Sequence, residues 1–485
     1  MRRFPAFVLI LALVPLVLAA CGSSSSSGGV RGSELSYFPA NAPFVLSIQT
    51  DPNSSAVKDG QALIGRFPIA TVGEAALMSK LQQQGINYQS DIRPLFGNPI
   101  MVGAAQAASY GSATNNFLAA WVTKDAGKLS ALVQKLHLQS SGSHDGATLY
   151  SGSLGSTFAV DGATAVLGGS AAQVTAALDR HAHGGGMSDA DATRDLAGLP
   201  QNTLIQAFGN LTGVLSTPRA ANARRVPWVA AIRGYGAAIS ATNSGLSYRY
   251  RLDTSGSSLS ASQLPIAGGS SAPSFAGSYP ITFGLKNPAQ VVNFVESAMQ
   301  ASSPTGYANF LRRQAAVRAK TGVDISALLK LLTGDLIVGS DGHTTVGRAA
   351  VSDPATAASD LGKLMSQPRA LFSNATSVQN LGGGFYAVKS PKQTITLGVS
   401  GNELVVGRAP VAALRAFAAA PTTPAAGAQG SLAFRVGLAE LLRLALRKKP
   451  VPKAAQAIFQ ALGVFSGWTA ASSSALTGNA TLQLS

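Results

Sequence analysis

Hydrophobic positions recur with two different periods along the chain, and together they predict short strands interleaved with amphipathic helices. Residues 44–50 and 281–285 place apolar side chains in the alternation that is typical of a strand with one buried face. Other segments predict helices with one apolar face, for example at Leu129, Leu132, Val133 and Leu136. Hairpins mixed with single helices favour an α+β fold with largely antiparallel sheets and packed helices.

The second half of the chain repeats the order of these elements. A strand that ends at Asp51 has a counterpart that ends at Asn287, and proline follows in both. We expect each Asx side chain to cap a helix that has the proline in its first turn. A strand, a tight glycine turn and a second strand are predicted over residues 158–169 and again over 397–407.

Seven elements recur in the same order at an offset of about 230 residues, which predicts a tandem duplication. Copy one is expected over residues 35–256 and copy two over residues 275–485. Residues 257–274 are rich in Ser, Gly, Ala and Pro, a composition typical of a linker. The sequence therefore predicts two duplicated α+β domains in tandem.

The first residues have the pattern of an export signal. Arg2 and Arg3 precede an apolar run over residues 4–20, which is short for a membrane span and is interrupted by prolines. The run ends in Leu-Ala-Ala-Cys21, which resembles the lipobox of bacterial lipoproteins. In those proteins the signal peptide is removed before a cysteine that carries diacylglycerol and a further acyl chain such as palmitate.

This resemblance implies a signal peptide over residues 1–20, lipidation of Cys21 and a Gly/Ser tether over residues 21–34. Two or more acyl chains give stable attachment, because each buried CH₂ contributes about 0.8 kcal/mol. We therefore expect a lipid-anchored protein on the extracytoplasmic face of the cell membrane. An ordinary secretory signal with an incidental cysteine is the alternative.

The amino-acid composition limits which cofactors the chain can hold and which partners it can bind. The 485 residues include 37 Lys and Arg against 21 Asp and Glu, a formal net charge of +16, and a single cysteine. One cysteine excludes an internal disulfide, an iron–sulfur cluster and a cysteine-rich zinc site. The positive charge suits an anionic lipid or envelope polymer as a partner. Nucleic acid is not expected outside the cytoplasm, and no nucleic-acid-binding motif is present.

Residues 35–52, LSYFPANAPFVLSIQTDP, resemble the opening of domain-of-unknown-function family 3352. Members of that family begin with a Leu-Pro-Ala-Asp-Ala-like phrase, then an apolar strand and a helix that ends near Arg-Phe-Pro, here residues 66–68. Phe38 and Asn41 stand where Leu and Asp are commoner in the family. The resemblance implies association with the cell envelope and no agreed activity.

Catalytic motifs are absent from the sequence in their usual linear forms, including a Walker loop, a dinucleotide glycine fingerprint, His-Glu-x-x-His and Gly-x-Ser-x-Gly. Patterns that begin at Ser55, Tyr307 and Lys320 follow the order of the three boxes of penicillin-recognising serine enzymes. The last two lie too close together for that fold, and Gly322 is predicted to cap a helix containing Lys320. Coincidence is the favoured interpretation, so no catalytic or cofactor-binding residue is predicted.

Histidines and tryptophans give no stronger signal. His181 and His183 have a spacing that holds metals when it lies on a strand, with Asp189 and Asp191 nearby as oxygen ligands. They lie between a predicted helix and a Gly-rich stretch, so a solvated loop is preferred and no metal site is predicted. The other histidines are isolated in sequence, and the tryptophans are expected in the core. These residues are His137, His144, His343, Trp121, Trp228 and Trp468.

Two predicted helices carry clustered cations. The groups are Arg312, Arg313, Arg318 and Lys320 in one helix and Arg447, Lys448 and Lys449 at the end of another. They form either a cationic surface toward an anionic bilayer or polymer, or the solvated charges of core-facing helices, and the second interpretation is preferred.

Three classes of function remain. A non-enzymatic binding or scaffold lipoprotein of the cell envelope is the preferred hypothesis. A carrier that holds a small or lipidic ligand in one lobe or between the lobes is the first alternative. An enzyme without a linear motif is the second.

Overall fold

The computed structural model describes residues 32–106, 116–152, 155–372, 374–446 and 461–485. The predicted signal peptide, Cys21, most of the tether and the cationic residues 447–449 lie outside the described residues. Within the described ranges, no helix has both the length and the apolar character needed to cross a membrane.

The described residues form 22 strands, most of them short. The first half contributes β1 (Val45–Ile48), β2 (Ile100–Gly103), β3 (Leu118–Val122), β4 (Ser140–His144), β5 (Ala147–Ser151), β6 (Thr157–Asp161), β7 (Thr164–Gly168), β8 (Ile205–Asn210), β9 (Gly234–Thr242) and β10 (Gly245–Asp253). The second half contributes β11 (Ser274–Ala276), β12 (Ile281–Lys286), β13 (Leu332–Ser340), β14 (Thr345–Val351), β15 (Ser377–Gly382), β16 (Phe385–Lys389), β17 (Thr394–Ser400), β18 (Glu403–Arg408), β19 (Thr422–Pro424), β20 (Leu432–Gly437), β21 (Leu462–Ala471) and β22 (Ala475–Leu484).

Helices connect many of these strands. In the first half they are α1 (Ser55–Gly65), α2 (Pro68–Gln83), α3 (Ala126–Lys135), α4 (Ala171–His183), α5 (Asp189–Asp195), α6 (Thr212–Leu215) and α7 (Pro227–Ala230). In the second half they are α8 (Pro288–Ser302), α9 (Pro304–Thr321), α10 (Ile325–Lys330), α11 (Pro354–Ser366), α12 (Pro368–Leu371), α13 (Val411–Ala419) and α14 (Leu438–Leu446). Single-turn helices occur at Ser33–Tyr37, Tyr88–Ile92, Arg93–Leu95, Pro218–Ala220, Ala223–Arg225 and Ala261–Gln263.

One antiparallel sheet contains every described strand except β11 and β19, which pair with each other. In the first half the pairing order is β4–β5–β6–β7–β3–β2–β1–β8–β9–β10. In the second half it is β15–β16–β17–β18–β14–β13–β12–β20–β21–β22. The two orders correspond strand for strand.

Strands β10 and β22 join the two halves. They pair without a register shift along all nine residues of β10, from Gly245 opposite Gln483 to Asp253 opposite Ala475. The side chain of Tyr250 lies over Gly478 of β22, and its hydroxyl oxygen is 2.9 Å from Oγ1 of Thr469 on β21. The sheet is therefore continuous through the junction, and a side-chain hydrogen bond spans it.

In the first half, apolar side chains are buried on both faces of the sheet. On one face, Ile100 and Trp121 pack with Val57 of α1 and Leu129 of α3. The opposite face has its own cluster, with contributions from the N-terminal segment and α4, including Leu35, Tyr37, Phe38, Val45, Met101, Leu118, Val166, Val174, Leu178 and Phe208. The sheet is therefore the middle layer of three.

The second half is built in the same way. Leu361, Leu364 and Met365 of α11 pack against one face of the sheet together with Val388 and Leu397. The other face packs with α13 through Ile337, Val346, Phe385, Val405, Leu414 and Phe417. A further cluster includes Leu264 and Ile266 of the predicted linker, and Trp228 of the first half contacts it.

The N-terminal segment enters the core at the first described turn. Leu35, Tyr37 and Phe38 are almost completely buried, and the carbonyl oxygen of Phe38 accepts a hydrogen bond from the backbone N–H of Met187 at 2.8 Å. The guanidinium of Arg180 donates twice to the carbonyl oxygen of Tyr37. Any chain that precedes residue 33 is thus attached to the body of the first half beside α4.

The predicted α+β class with a large antiparallel sheet is confirmed. Ser170 caps α4 by accepting a hydrogen bond from the backbone N–H of Gln173. The Asx caps are wrong, because α1 begins three residues beyond Pro52 and Ser54 caps it. Asn287 does precede Pro288 at the start of α8, but its backbone is left-handed, at φ 46°, and its side chain makes no cap.

Candidate functional site

The side chains of β10 alternate between a polar, cationic face and an apolar, aromatic face. Its sequence from Leu246 to Leu252, LSYRYRL, places Ser247, Arg249 and Arg251 on one face and the apolar and aromatic residues on the other. The register continues this division across the junction, because Arg249 is opposite Asn479, and Asn479 is opposite Trp468. Residues directly opposite one another in a ladder share a face of the sheet.

A polar surface therefore crosses the junction. We call it the junction face, and it consists of Ser247, Arg249, Arg251, Arg435, Ser466, Trp468, Thr477, Asn479 and Thr481. Arg249 and Arg435 are exposed, and Trp468 is partly buried. Among the described helices, none makes an extensive contact with β10 or β22. The part of the junction face on β10 and β22 is therefore accessible to a ligand, whereas α14 packs against β20 and β21.

One cation of the junction face is already paired. Nη2 of Arg251 lies 3.2 Å from Oδ1 of Asp253. The other carboxylate oxygen, Oδ2, accepts a hydrogen bond from the hydroxyl of Ser255. Ser247 donates to the amide oxygen of Asn479 at 3.3 Å. The cations that point to solvent on the junction face are therefore Arg249 and Arg435, one from each half.

A buried carboxyl group lies beside the end of the junction. Asp195 of α5 is 4% exposed, and Arg194 donates to it at 3.1 Å. Burial raises the pKa of Asp195 to about 6, against the opposing effect of the Arg194 charge, and the negative charge of Asp253 raises it further. The protonation of this group therefore changes in the mildly acidic range.

The opposite face at the junction is apolar. Tyr248 and Tyr250 stack with ring centroids 5.8 Å apart, and Phe434 and Phe465 are 5.2 Å apart. Tyr248 is 42% exposed and Phe465 is 36% exposed. Burial nevertheless raises the pKa of Tyr248, and the neighbouring Tyr250 adds to this shift. Phe283 and Leu432 of the neighbouring strands pack in one cluster with Val291 of α8, and Val295 of that helix is 49% exposed.

An open depression of about 710 Å³ lies in the first half, and its lining residues are Asp51, Pro52, Asn53, Gln89, Arg93, Pro94, Phe96, Lys124 and Asp125. Its two carboxylates have structural partners. Asp51 accepts from the backbone N–H of Asn53 at 2.9 Å, and Asp125 caps α3 by accepting from the N–H of Lys128 at 3.0 Å. The depression is polar and open, unlike the enclosed apolar cavity expected of a lipid carrier.

The predicted pair His181 and His183 does not act together. Both residues lie in the last turn of α4, where positions two apart point in different directions. His181 stacks on Tyr37 with centroids 4.2 Å apart, and its Nδ1 is 2.5 Å from the hydroxyl oxygen of Ser36. Asp191 is also engaged, because it forms the capping box of α5 with Ser188.

His144, isolated in sequence, is not isolated in the structure. Its Nε2 lies 2.7 Å from Oδ1 of Asp179 and 3.7 Å from Oδ2 of Asp145, and Nε2 of His183 lies 3.4 Å from the same Asp145 oxygen. The hydrogen bond that the His144 ring donates to Asp179 raises the pKa of His144 and lowers that of Asp179. Sequence reasoning missed this group because its members come from two elements 35 residues apart.

The boxes that resemble penicillin-recognising enzymes fall on helices. Ser55 begins α1, where its Oγ accepts a hydrogen bond from the side-chain amide of Asn202 at 2.6 Å. Tyr307 and Lys320 lie in α9 of the other half, and Gly322 ends that helix with φ 74° as predicted. A strand presents the lysine box in the enzymes, so the geometry around Lys320 differs from theirs.

The tryptophans and cations are now placed. Trp121 is buried in the core as expected. Trp228 packs against the cluster that includes Leu264 and Ile266. Trp468 lies on the junction face, outside the described apolar clusters. The cations of α9 are exposed, namely Arg312, Arg313, Arg318 and Lys320, and Arg318 faces Asp324 at 3.7 Å.

Comparison with known proteins gives a distant structural similarity. No family model matches the chain, and the search of curated proteins found no match. Crystal form III of TP0453 is similar at a TM-score of 0.26 and 9% identity, over 49% of this chain and 84% of that one. Crystal form I gives 0.27 and 10%, over 49% and 82%, and crystal form IV gives 0.27 and 9%, over 47% and 81%.

Proposed function

We propose that this chain is a lipid-anchored binding protein of the bacterial cell envelope, without enzymatic activity. Its first 20 residues are removed, Cys21 carries the lipid, and the body faces away from the cytoplasm. The residues between Cys21 and Ser33 have the Gly/Ser-rich composition of a tether, and a linker of that length and composition spans about 20 Å. The first half therefore stays close to the membrane surface.

We further propose that the two halves are copies of one ancestral domain. The support is the identical order of ten strands in each half, together with the repeated elements in the sequence. The resemblance to domain-of-unknown-function family 3352 accords with an envelope location, and it stays a prediction.

The observation that carries the binding function is the junction face. Arg249 and Arg435 are exposed there on either side of the partly buried Trp468, among short hydroxyl and amide side chains. Guanidinium groups bind carboxylate and phosphate in a forked geometry, and a flat indole ring offers an apolar platform with a polar edge. The ligand class that fits this chemistry is an anionic glycopolymer of the envelope.

Sedimentation with purified cell walls tests the ligand class. The mature protein should sediment with walls that retain their anionic polymers and stay in solution with walls stripped of them, and added salt should weaken binding. We expect Arg249→Ala and Trp468→Ala each to weaken binding by about tenfold. Arg312→Ala removes an equally exposed cation from α9 and is the matched control, which should bind normally.

The anchor is tested separately. Cys21→Ser should leave the protein uncleaved or released from the membrane fraction, whereas the original chain should partition with membranes. If the variant is processed and still partitions fully with membranes, the lipid is not the anchor. Equal binding of the original chain to native and stripped walls would reject the ligand class without affecting the anchor.

Transport of a lipidic ligand is the second candidate function. The observation that favours it is α8, whose apolar side chains are only partly covered, so that Pro288 is its only buried residue among those described. Native mass spectrometry of the protein from its own cells would support a carrier if it detected a bound lipid at one copy per chain. Protein without such a ligand would favour the glycopolymer.

A further inference from the structure

Two structural elements bring imidazoles and carboxylates together on the surface of the first half. His144 ends β4, and Asp145 begins the tight turn to β5 with φ 47°, followed by Gly146 at φ 83°. These left-handed values belong to a type I′ hairpin turn. Asp179 and His183 are four residues apart in α4, which places them on the same side of that helix.

The distances within this group suit a small metal ion. The donor atoms of His144, Asp145 and Asp179 all lie within 4.8 Å of one another. A tetrahedral ion with bonds of about 2.0 to 2.1 Å holds its donor atoms about 3.3 Å apart. The separations of 2.7 and 3.7 Å among these three residues bracket that value. His183 is outside this group of three but lies 3.4 Å from Asp145, so a rotation of its side chain would supply the fourth donor.

We propose that His144, Asp145, Asp179 and His183 bind one divalent transition-metal ion of the zinc class. Two imidazole nitrogens with two carboxylate oxygens are a donor set that zinc accepts, whereas magnesium and calcium prefer oxygen alone. All four side chains are partly or largely exposed, so an ion can reach them from solvent. His181 is not a ligand, because its ring stacks on Tyr37 and its Nδ1 contacts Ser36.

The ion would link the hairpin of β4 and β5 to α4. Strand β4 has β5 as its one partner among the described strands, so the hairpin is attached to the sheet through β5 alone. A metal held by both the hairpin turn and α4 ties this outer hairpin to the helix that also holds Tyr37. Metal binding should therefore stabilise the packing of this outer hairpin against α4.

Zinc titration of the full mature chain, purified in detergent without a histidine tag, tests this proposal. We expect one zinc ion per chain by calorimetry in competition with a chromogenic chelator, and a higher melting temperature with zinc present. His144→Ala and Asp179→Asn should each weaken zinc binding at least about tenfold and remove most of the melting shift. His183→Ala, at the most exposed position of the group, should also weaken it.

His343→Ala is the matched control, because His343 is an exposed histidine in a turn next to Asp341 in the second half. This variant should bind zinc as the original chain does. Circular dichroism of each variant without metal establishes that it is folded. Failure of the original chain to bind zinc in large excess, or binding that His144→Ala and His183→Ala both leave unchanged, would overturn the proposal. Neither result bears on the ligand of the junction face.

Discussion

Tyr250 and Thr469 belong to different halves of the chain, and their hydroxyl oxygens lie 2.9 Å apart. The tyrosine side chain reaches this partner by passing over the whole width of β22, where the residue beneath it is Gly478. A side chain of the first half is thus hydrogen-bonded to β21 of the second half, the strand beyond β22. The halves are joined by this contact as well as by the backbone ladder.

Replacement of Tyr250 by Phe removes the hydrogen bond and keeps the ring over Gly478. We expect a loss of about 0.5 to 1.5 kcal/mol in the free energy of unfolding, the usual net value of one hydrogen bond. Chemical denaturation followed by circular dichroism measures this loss. The control is Tyr248→Phe, because Tyr248 is largely exposed on the same face, and that variant should unfold like the original. Equal effects at both positions would contradict the role of the bond.

Gly478 is required by the same arrangement. A Cβ at this position would lie 2.4 Å from the ring of Tyr250, so Gly478→Ala must displace the ring or the strand. We expect it to destabilise the protein by about 1 to 3 kcal/mol. In a Tyr250→Ala background the same substitution should cost much less, because the clash is gone. An unchanged cost in that background would show that the ring is not the obstacle.

Asp195 should make the free energy of unfolding decrease as the pH rises from about 4 through about 6. Its folded pKa is about 6, above the value near 4 of an unfolded aspartate, so folding favours its protonated form. The stability it contributes is complete below about pH 4 and is lost as the pH rises through about 6. We expect Asp195→Asn to raise the free energy of unfolding at neutral pH by on the order of 2 kcal/mol.

Urea denaturation across this pH window measures the effect, and the difference between the variant and the original should shrink toward low pH. Asp353→Asn, in the second half, is a control of opposite sign. Hydrogen bonds from Thr356 lower the pKa of Asp353, so its contribution is present at neutral pH and is lost only as the pH falls. A pH-independent gain in Asp195→Asn would contradict the assignment.

Phe38 fastens the N-terminal segment to the core. It is completely buried in the cluster between the sheet and α4, so Phe38→Ala leaves a cavity and should cost about 3 to 5 kcal/mol. Thermal denaturation measures the loss. Phe44→Ala removes the same side chain from a position that is 37% exposed and should cost less than about 1 kcal/mol. Similar losses at the two positions would argue against a buried anchor.

Local features of the fold were predictable from the sequence because short-range chemistry determines them. Ser170 and Asp353 each accept a hydrogen bond from the backbone of the helix that follows, as their position before an apolar periodic segment predicts. The apolar face of α3 is buried at Leu129, Leu132 and Val133. Asp51 failed as a cap because Ser54, three residues later, occupies that position.

Long-range features were not predictable, because they depend on register between distant segments. Residues 246–252 and 476–482 pair with each other, but nothing in their sequence patterns indicates that pairing. The position of Trp468 on the junction face follows from that pairing. The alternation of Tyr and Arg at 248–251 was the one available signal that β10 has a cationic face and an aromatic face. His144 and Asp179 are 35 residues apart, and this separation gives no sequence signal of their contact.

The two outermost strands of the sheet differ from the strands that meet in its middle. Each is polar and mostly exposed, and each pairs with a register shift, between Ser140 and Gly142 in β4 and between Asn380 and Gly382 in β15. Irregular, polar rims of this kind offer a poor template for another strand. We therefore expect the rims to resist pairing with another copy of the chain, in contrast to the regular ladder between β10 and β22 in the middle.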